Sequence, residues 1–177
     1  MSDVLFILVE GNDDERFFAG VVVPVLKQKY NKVVIWQHAQ KSNQAIEKML
    51  ISIQTMGADY FYVVDLDRED KIEDKKEIVI GRLEEICGKK IVIAVKEIEG
   101  WYLAGLGIEA SRKLDVAYLE RTDDIYKEDF NRLLPLAEKG SRISIMHEIL
   151  KYFSVETARS KNASFDFFWS NFIEKLT

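Results

Sequence analysis

Only one cysteine, Cys87, occurs among the 177 residues, so no disulfide can form within the chain. A disulfide-stapled framework is excluded, and a reducing compartment, the cytoplasm, is expected. Cys87 falls in the stretch Leu83–Gly88, which reads as the end of a helix, and a buried structural thiol is expected there. Proline is nearly absent, with Pro24 and Pro135 alone, and no Gly/Ser/Pro-rich linker divides the chain. Histidine is equally scarce. His38 and His147 are the only two, and with a single cysteine they give no zinc-binding spacing. No apolar run approaches the ~20 residues needed to span a bilayer, so no membrane partner is expected. Met1-Ser2-Asp3 carries no basic stretch, so no signal peptide is expected either. Basic excess is also missing, since 25 Lys and Arg against 30 Asp and Glu give a net charge of −5. That balance excludes a strongly basic nucleic-acid binder. It does not exclude a nucleic-acid ligand, because a bound metal supplies positive charge that a residue count misses. There is no Gly-rich phosphate loop and no nucleophile elbow.

What the chain does have is apolar mass, 47% of its residues, enough for a core. Val4–Val9, Lys32–Trp36, Tyr60–Val64 and Ile91–Val95 are short runs rich in β-branched or aromatic side chains. Such runs suit strands buried on both faces of a parallel sheet. Between them lie segments with helical spacing: Phe17, Phe18, Val21, Val22, Val25 and Leu26; then Ala45, Ile46, Met49, Leu50 and Ile53; then Ile78, Val79, Arg82, Leu83 and Ile86. Strand–helix alternation predicts an α/β fold with a Rossmann-like parallel sheet of about four strands flanked by helices. Pro24 is expected to kink the first helix or end it early. After Gly100 no further strand is expected. Trp101–Leu106, Ile108–Leu119, Lys127–Ala137, Ile143–Phe153 and Ser164–Leu176 read as amphipathic helices. The expected organisation is an α/β core over 1–105 with a helical extension over 106–177, packed as one globular unit.

Three acidic segments follow apolar runs. In the first, Glu10-Gly11-Asn12-Asp13-Asp14, Glu10 ends a strand, Gly11 is expected at positive φ in a tight turn and Asn12 is expected to cap the next helix. Asp14, in the first helical turn, can face back toward Glu10, whereas Asp13 suits the helix start electrostatically. The second is Asp65-Leu66-Asp67. If the chain stays extended, both carboxylates project from one face. Two such carboxylates repel each other unless a cation or proton lies between them, and hard oxygen ligands suit Mg²⁺ or Mn²⁺. Arg68, Glu69, Asp70 and Lys71 beyond them read mainly as a solvated loop. The third is Lys96-Glu97-Ile98-Glu99-Gly100-Trp101, in which Glu97 or Glu99 joins the metal cluster, Glu97 being nearer the strand end. His147, in the fourth of those amphipathic helices, reads as a surface or packing residue with some chance of reaching the site.

Near the C-terminus, Arg132, Lys139, Arg142, Lys151, Arg159 and Lys161 stand against Glu138, Glu148 and Glu156, a local 6 − 3 = +3. Ser164 reads as the N-cap of a final helix whose stripe is Phe165, Phe168, Trp169, Phe172 and Leu176. The loop before it, Arg159–Ala163, is then held in a fixed place. Arg159 and Lys161 are the candidate phosphate-binding residues.

The order of these strand-end motifs resembles the Toprim fold of topoisomerases, primases and overcoming-lysogenisation-defect nucleases. The resemblance is nearest to the nuclease branch, through Glu10, Gly11 and Asp14 followed by Phe17-Phe18 and through the Asp65-x-Asp67 pair. The chain is also similar to small Toprim-like proteins associated with ATPase partners, through Glu97–Trp101, Ala158-Arg159 and Ser164-Phe165. The resemblance implies a metal-dependent nuclease, or a phosphodiester-acting relative, that takes DNA or RNA. Glu10, Asp14, Asp65, Asp67 and Glu97 would hold the metal. Glu10, Asp65 and Asp67 would be the catalytic carboxylates, Glu10 also being a candidate general base. The other implication is a non-catalytic or partner-dependent subunit that works beside an ATPase. The chain carries no large ATPase region and no gyrase- or primase-specific domain, so the fold transfers further than any one activity.

Overall fold

The computed structural model describes residues 3–136 and 140–176. The chain divides into two compact units, one ending at Ile93 but including Leu176, the other running from Ala94 to Lys175. The division therefore falls at the end of the last strand rather than at 105/106. Among the described residues no helix is long and apolar enough to cross a membrane.

The first unit holds a four-stranded, all-parallel sheet flanked by helices. Its strands are β1 (Val4–Val9), β2 (Lys32–Gln37), β3 (Asp59–Asp65) and β4 (Ile91–Ala94), in the spatial order β2-β1-β3-β4. β1 runs parallel to both neighbours, with Leu8 opposite Trp36 on one side and Tyr62 on the other. The apolar runs are continuous because inner strands are covered on both faces. Leu5, Ile7, Leu8 and Val9 of β1, and Tyr60 to Val64 of β3, are all buried. β2 is an edge strand, and none of its residues is fully buried. From β1 the chain winds outward to β2, then crosses back to β3 on the other side. The carboxyl ends of β1 and β3 therefore flank the point where the winding reverses, the place where open parallel sheets bind their ligands.

α1 (Asn12–Phe17), a π turn (Phe18–Val22) and α2 (Val23–Leu26) follow one another without a break. Pro24 has no N–H to donate and would crowd a regular turn. The widened turn, in which the Val23 N–H reaches back to the Phe18 carbonyl, accommodates it. The helix thus continues past Pro24 instead of stopping early. Phe17, Phe18, Val21, Val22 and Leu26 are buried. α3 (Asn43–Thr55) starts at Ser42, whose hydroxyl accepts from the Ala45 N–H, and it buries Ile46, Leu50 and Ile53.

α4 (Ile72–Arg82) departs from expectation. It ends before Leu83, only Val79 within it is buried, and Ile78 is exposed. The Glu47 carboxylate takes the backbone N–H groups of Glu84 and Glu85 out of the helix. Cys87, expected to be buried, is a free and exposed thiol just before a short 3₁₀ turn, Gly88–Lys90.

The second unit is helical in its described residues, with α5 (Glu99–Ala104), α6 (Ile108–Leu114), α7 (Lys127–Leu133), α8 (Arg142–Lys151), α9 (Val155–Lys161) and α10 (Ala163–Phe168), the last running into a π turn, Trp169–Ile173. The helix expected over Ile108–Leu119 ends early, because Asp115 adopts a left-handed conformation (φ 57°). Ala137, Glu138 and Lys139 lie outside the described residues. The aromatic stripe forms the core. Phe165 packs edge-on against Trp101 at 5.3 Å, and Phe168 stacks on it at 5.1 Å.

Candidate functional site

At the carboxyl ends of β1 and β3 the structure brings Glu10, Asp65 and Asp67 together. Glu10 directly follows β1, and its Oε1 accepts a hydrogen bond from the Asp65 backbone N–H at 3.3 Å. Asp65 is the last residue of β3 and is buried. Asp67 reaches the group by a different route from the one expected. The chain leaves the strand after Asp65, and Asp67 has a left-handed φ of 55°. The two aspartates therefore do not share an extended face. Aspartate tolerates this conformation better than most residues.

Charge in this corner is unevenly balanced. Burial and, next, the Asp67 carboxylate push the Glu10 carboxyl above its ordinary value. The Asp65 N–H, Lys75 and Arg82 oppose that rise. Lys75, on α4, places Nζ 2.6 Å from Asp67 Oδ2. Lys75 and Arg82, seven residues apart on one helix face, are thus two basic groups that act on Glu10.

Asp14 is buried, and its Oδ2 accepts from the Gly11 N–H at 3.1 Å. That contact closes the turn between β1 and α1. Gly11, not Asn12, is the N-cap of α1, and its φ of −147° is extended rather than positive. Asn12 instead accepts from Gln37 Nε2 at 2.8 Å. Asp13 pairs with Arg16 at 2.7 Å.

The remaining candidates lie in the second unit. β4 ends at Ala94, Lys96 has a φ of 61°, and Glu99 begins a helix, so Glu97 and Glu99 do not alternate along a strand. Glu97 accepts from the Lys127 N–H at the start of α7. Glu99 is buried and bonded to Arg142 at 2.6 Å. Arg159 and Lys161 lie in α9, not in a loop. The Arg159 guanidinium bonds Asp166, Glu174 and Ser170. Lys161 is buried, donates to the Leu106 carbonyl at 2.7 Å and lies 4.6 Å from the Tyr118 ring centre. Both cations are engaged inside their own unit, which gives a phosphate-binding role no support. Asn162 caps α10, and Ser164 accepts from Trp101 Nε1 at 2.8 Å instead of capping. His147 is exposed.

Sequence reasoning missed His38 and Tyr62. His38 follows β2, is buried and stacks on the Tyr62 ring at 4.3 Å. Its Nε2 is 2.9 Å from the Val63 carbonyl, so that nitrogen carries the proton. Nδ1 then accepts from the Tyr62 hydroxyl at 3.3 Å. Burial, with Arg82 adding to it, lowers the His38 pKa to about 4. Burial pushes Tyr62 up to about 12, with Glu10 contributing in the same direction. A lone histidine directly after a strand was the only signal in the sequence.

Beside Glu10, on the β2 side, a cleft of about 260 Å³ is lined by Glu10, Gly11, Asn12, Trp36, Gln37, Ala39, Gln40 and Lys41. Among the described residues no group of three or more His, Cys, Asp or Glu is arranged to hold a metal ion. In chemistry the Glu10–Asp65–Asp67 group still suits a hard cation, since all its donors are carboxylate oxygens; the raised Glu10 pKa reflects burial first and the Asp67 charge second. No family model matches the chain, and neither a curated protein nor a solved structure matches it.

Proposed function

We propose that this chain is a Toprim-like protein that acts on phosphodiesters with Mg²⁺ or Mn²⁺, most simply as a nuclease in the cytoplasm. The observation that carries this reading is Glu10, which meets β3 through the Asp65 N–H while burial and, after it, the Asp67 charge raise its pKa at the winding reversal of the sheet. Glu10, Asp65 and Asp67 would hold the ion once Lys75 gives up Asp67. Asp14 shapes the turn that presents Glu10. A divalent ion there supplies Lewis-acid stabilisation of a phosphoryl oxygen and a more acidic bound water. Alternatively Glu10 is the proton acceptor and not a ligand: the chain holds it in a partly desolvated position, where its raised pKa suits that role, and leaves the ion to Asp65 and Asp67.

The test is to incubate the pure protein with Mg²⁺ or Mn²⁺ and with single- and double-stranded DNA and RNA. Cleavage that chelation abolishes and Asp67→Ala removes supports the nuclease. Metal-dependent stabilisation without cleavage points to a subunit that needs an ATPase or other partner. Neither cleavage nor metal-dependent stabilisation sinks both.

A further inference from the structure

The cleft beside Glu10 has a composition that phosphodiester chemistry does not require. Its floor is the β1–β2 pairing, which continues past the strand ends through the His38 N–H to the Val9 carbonyl at 2.8 Å and the Ala39 N–H to the Glu10 carbonyl at 3.2 Å. Its walls are the turn at Glu10–Asn12 and the segment from Ala39 to Lys41, and Trp36 contributes an indole. Trp36 is only half-buried, whereas Trp101 and Trp169 lie in the core at 0% and 8% exposure. A half-exposed indole lining a concave surface is a platform for a flat ring.

The polar lining fits the rest of such a ligand. Gln37 Nε2 is held by Asn12 Oδ1 and Glu15 Oε2. This fixes the Gln37 and Asn12 amides yet leaves Gln37 Oε1 and Asn12 Nδ2 without a protein hydrogen bond among the described residues. An open carbonyl oxygen and an open amide N–H on two anchored side chains supply the acceptor and the donor that a base edge needs. Lys41 is exposed and makes no ion pair among the described residues, so its ammonium is available to a phosphate. At about 260 Å³ the cleft has room for one ring system and its sugar, not for a duplex. The net charge of −5 provides no electrostatic track for a long strand, so recognition rests on a single unit.

We propose that this cleft binds one unstacked nucleotide of a single-stranded nucleic acid, with its base on Trp36, its edge on Gln37 and Asn12, and a phosphate near Lys41. The inference rests on the phosphodiester reading above. Glu10 belongs to both the cleft and the carboxylate cluster, so a strand seated there runs its next phosphate past Glu10 toward Asp65 and Asp67.

The experiment titrates the full chain into a labelled short single-stranded oligonucleotide and follows anisotropy, with chelator present so that the metal centre plays no part. Saturable binding is expected. Trp36→Leu should weaken it about tenfold or more, the usual cost of losing a stacked base. Trp36→Phe should restore most of it, which guards against a folding defect. Lys41→Ala should weaken binding less and lower the salt slope by about one. Equal affinity of wild type and Trp36→Leu, or no binding at all, overturns the proposal. Because one nucleotide carries the recognition, a free nucleoside monophosphate should compete with the strand for the cleft, and failure to displace it overturns the assignment of the cleft as the site. Because every arm is metal-free, failure here is distinct from failure of the metal-dependent reading, which the cleavage and stabilisation assays judge.

Discussion

The Asp65 backbone N–H donates to Glu10 Oε1 at 3.3 Å, tying the end of β3 to the residue that follows β1. The bond needs an acceptor at residue 10, not a charge. Glu10→Gln keeps an acceptor and removes the repulsion from Asp67. Because burial and Asp67 raise the folded-state pKa of Glu10 above its ordinary 4.5, folding takes up protons there as pH rises. Stability from this group is fully present below pH 4.5 and is lost as pH rises through the folded value. Urea denaturation should therefore show Glu10→Gln to be more stable than wild type at neutral pH. The two should converge at acid pH. Equal stability across the whole range would mean that Glu10 pays no electrostatic penalty.

Lys75 already sits where a cation is needed, 2.6 Å from Asp67. Asp67 keeps 49% of its side-chain surface exposed, so the ion pair itself contributes only about 0–1 kcal/mol. Its larger consequence concerns divalent ions, which must displace or outcompete the ammonium. Lys75→Met should leave the metal-free melting temperature nearly unchanged and raise Mn²⁺ affinity several-fold by calorimetry. Wild type should gain melting temperature with added Mg²⁺ or Mn²⁺ and lose that gain with chelator. In Asp65→Asn/Asp67→Asn the gain should be absent. An Mn²⁺ affinity that falls in Lys75→Met would show the lysine to support metal binding instead of competing with it.

The parts of this corner that could be read from the sequence are those set by burial. β1 and the Tyr60–Val64 run of β3 are covered on both faces, so their residues are apolar without interruption, and Glu10 and Asp65 stand out as the charges that directly follow those runs. α3 shows its buried face through Ile46, Leu50 and Ile53. Distant contacts set what could not be read. Glu47 decides where α4 stops, and so exposes Cys87. Asn162 and Ser164 are both good capping residues, and the Ser164 hydroxyl, engaged by the Trp101 indole and the Val95 N–H, leaves the cap to Asn162. Asp67 turns out of the strand through a left-handed backbone, which the Asp-x-Asp spacing does not reveal.

His38 gives the fold an acid limit. Its folded pKa falls from 6.5 to about 4 through burial, so it stays neutral in the folded state while the unfolded chain takes up a proton. Its contribution is fully present above pH 6.5 and is lost as pH falls toward 4. At about 1.4 kcal/mol per pH unit, the whole loss is on the order of 3 kcal/mol. His38→Gln should flatten the stability profile across that window, as measured by urea midpoints. A wild-type profile already flat between those limits would contradict the burial argument.

In the second unit the interaction most exposed to disruption is the pair between Glu99 and Arg142. Glu99 is 3% exposed, a cost that a carboxylate bears only when it is well bonded. Arg142 Nη2 lies 2.6 Å from Glu99 Oε1, its Nε donates to Asn131 at 2.7 Å, and the guanidinium rests 5.3 Å from the Phe130 ring centre. The planar fork serves three partners at once, which a lysine cannot do. Arg142→Met deprives the buried carboxylate of this cation and should cost roughly 3–5 kcal/mol in urea denaturation. Arg142→Lys should recover only part of that. Adding Glu99→Gln to Arg142→Met removes the stranded charge, so the double variant should be more stable than Arg142→Met alone. Such a reversal measures the coupling directly, because groups that share one interaction do not add. If the two substitutions prove additive instead, the pair is not coupled, and the burial of Glu99 must be sustained by its other surroundings.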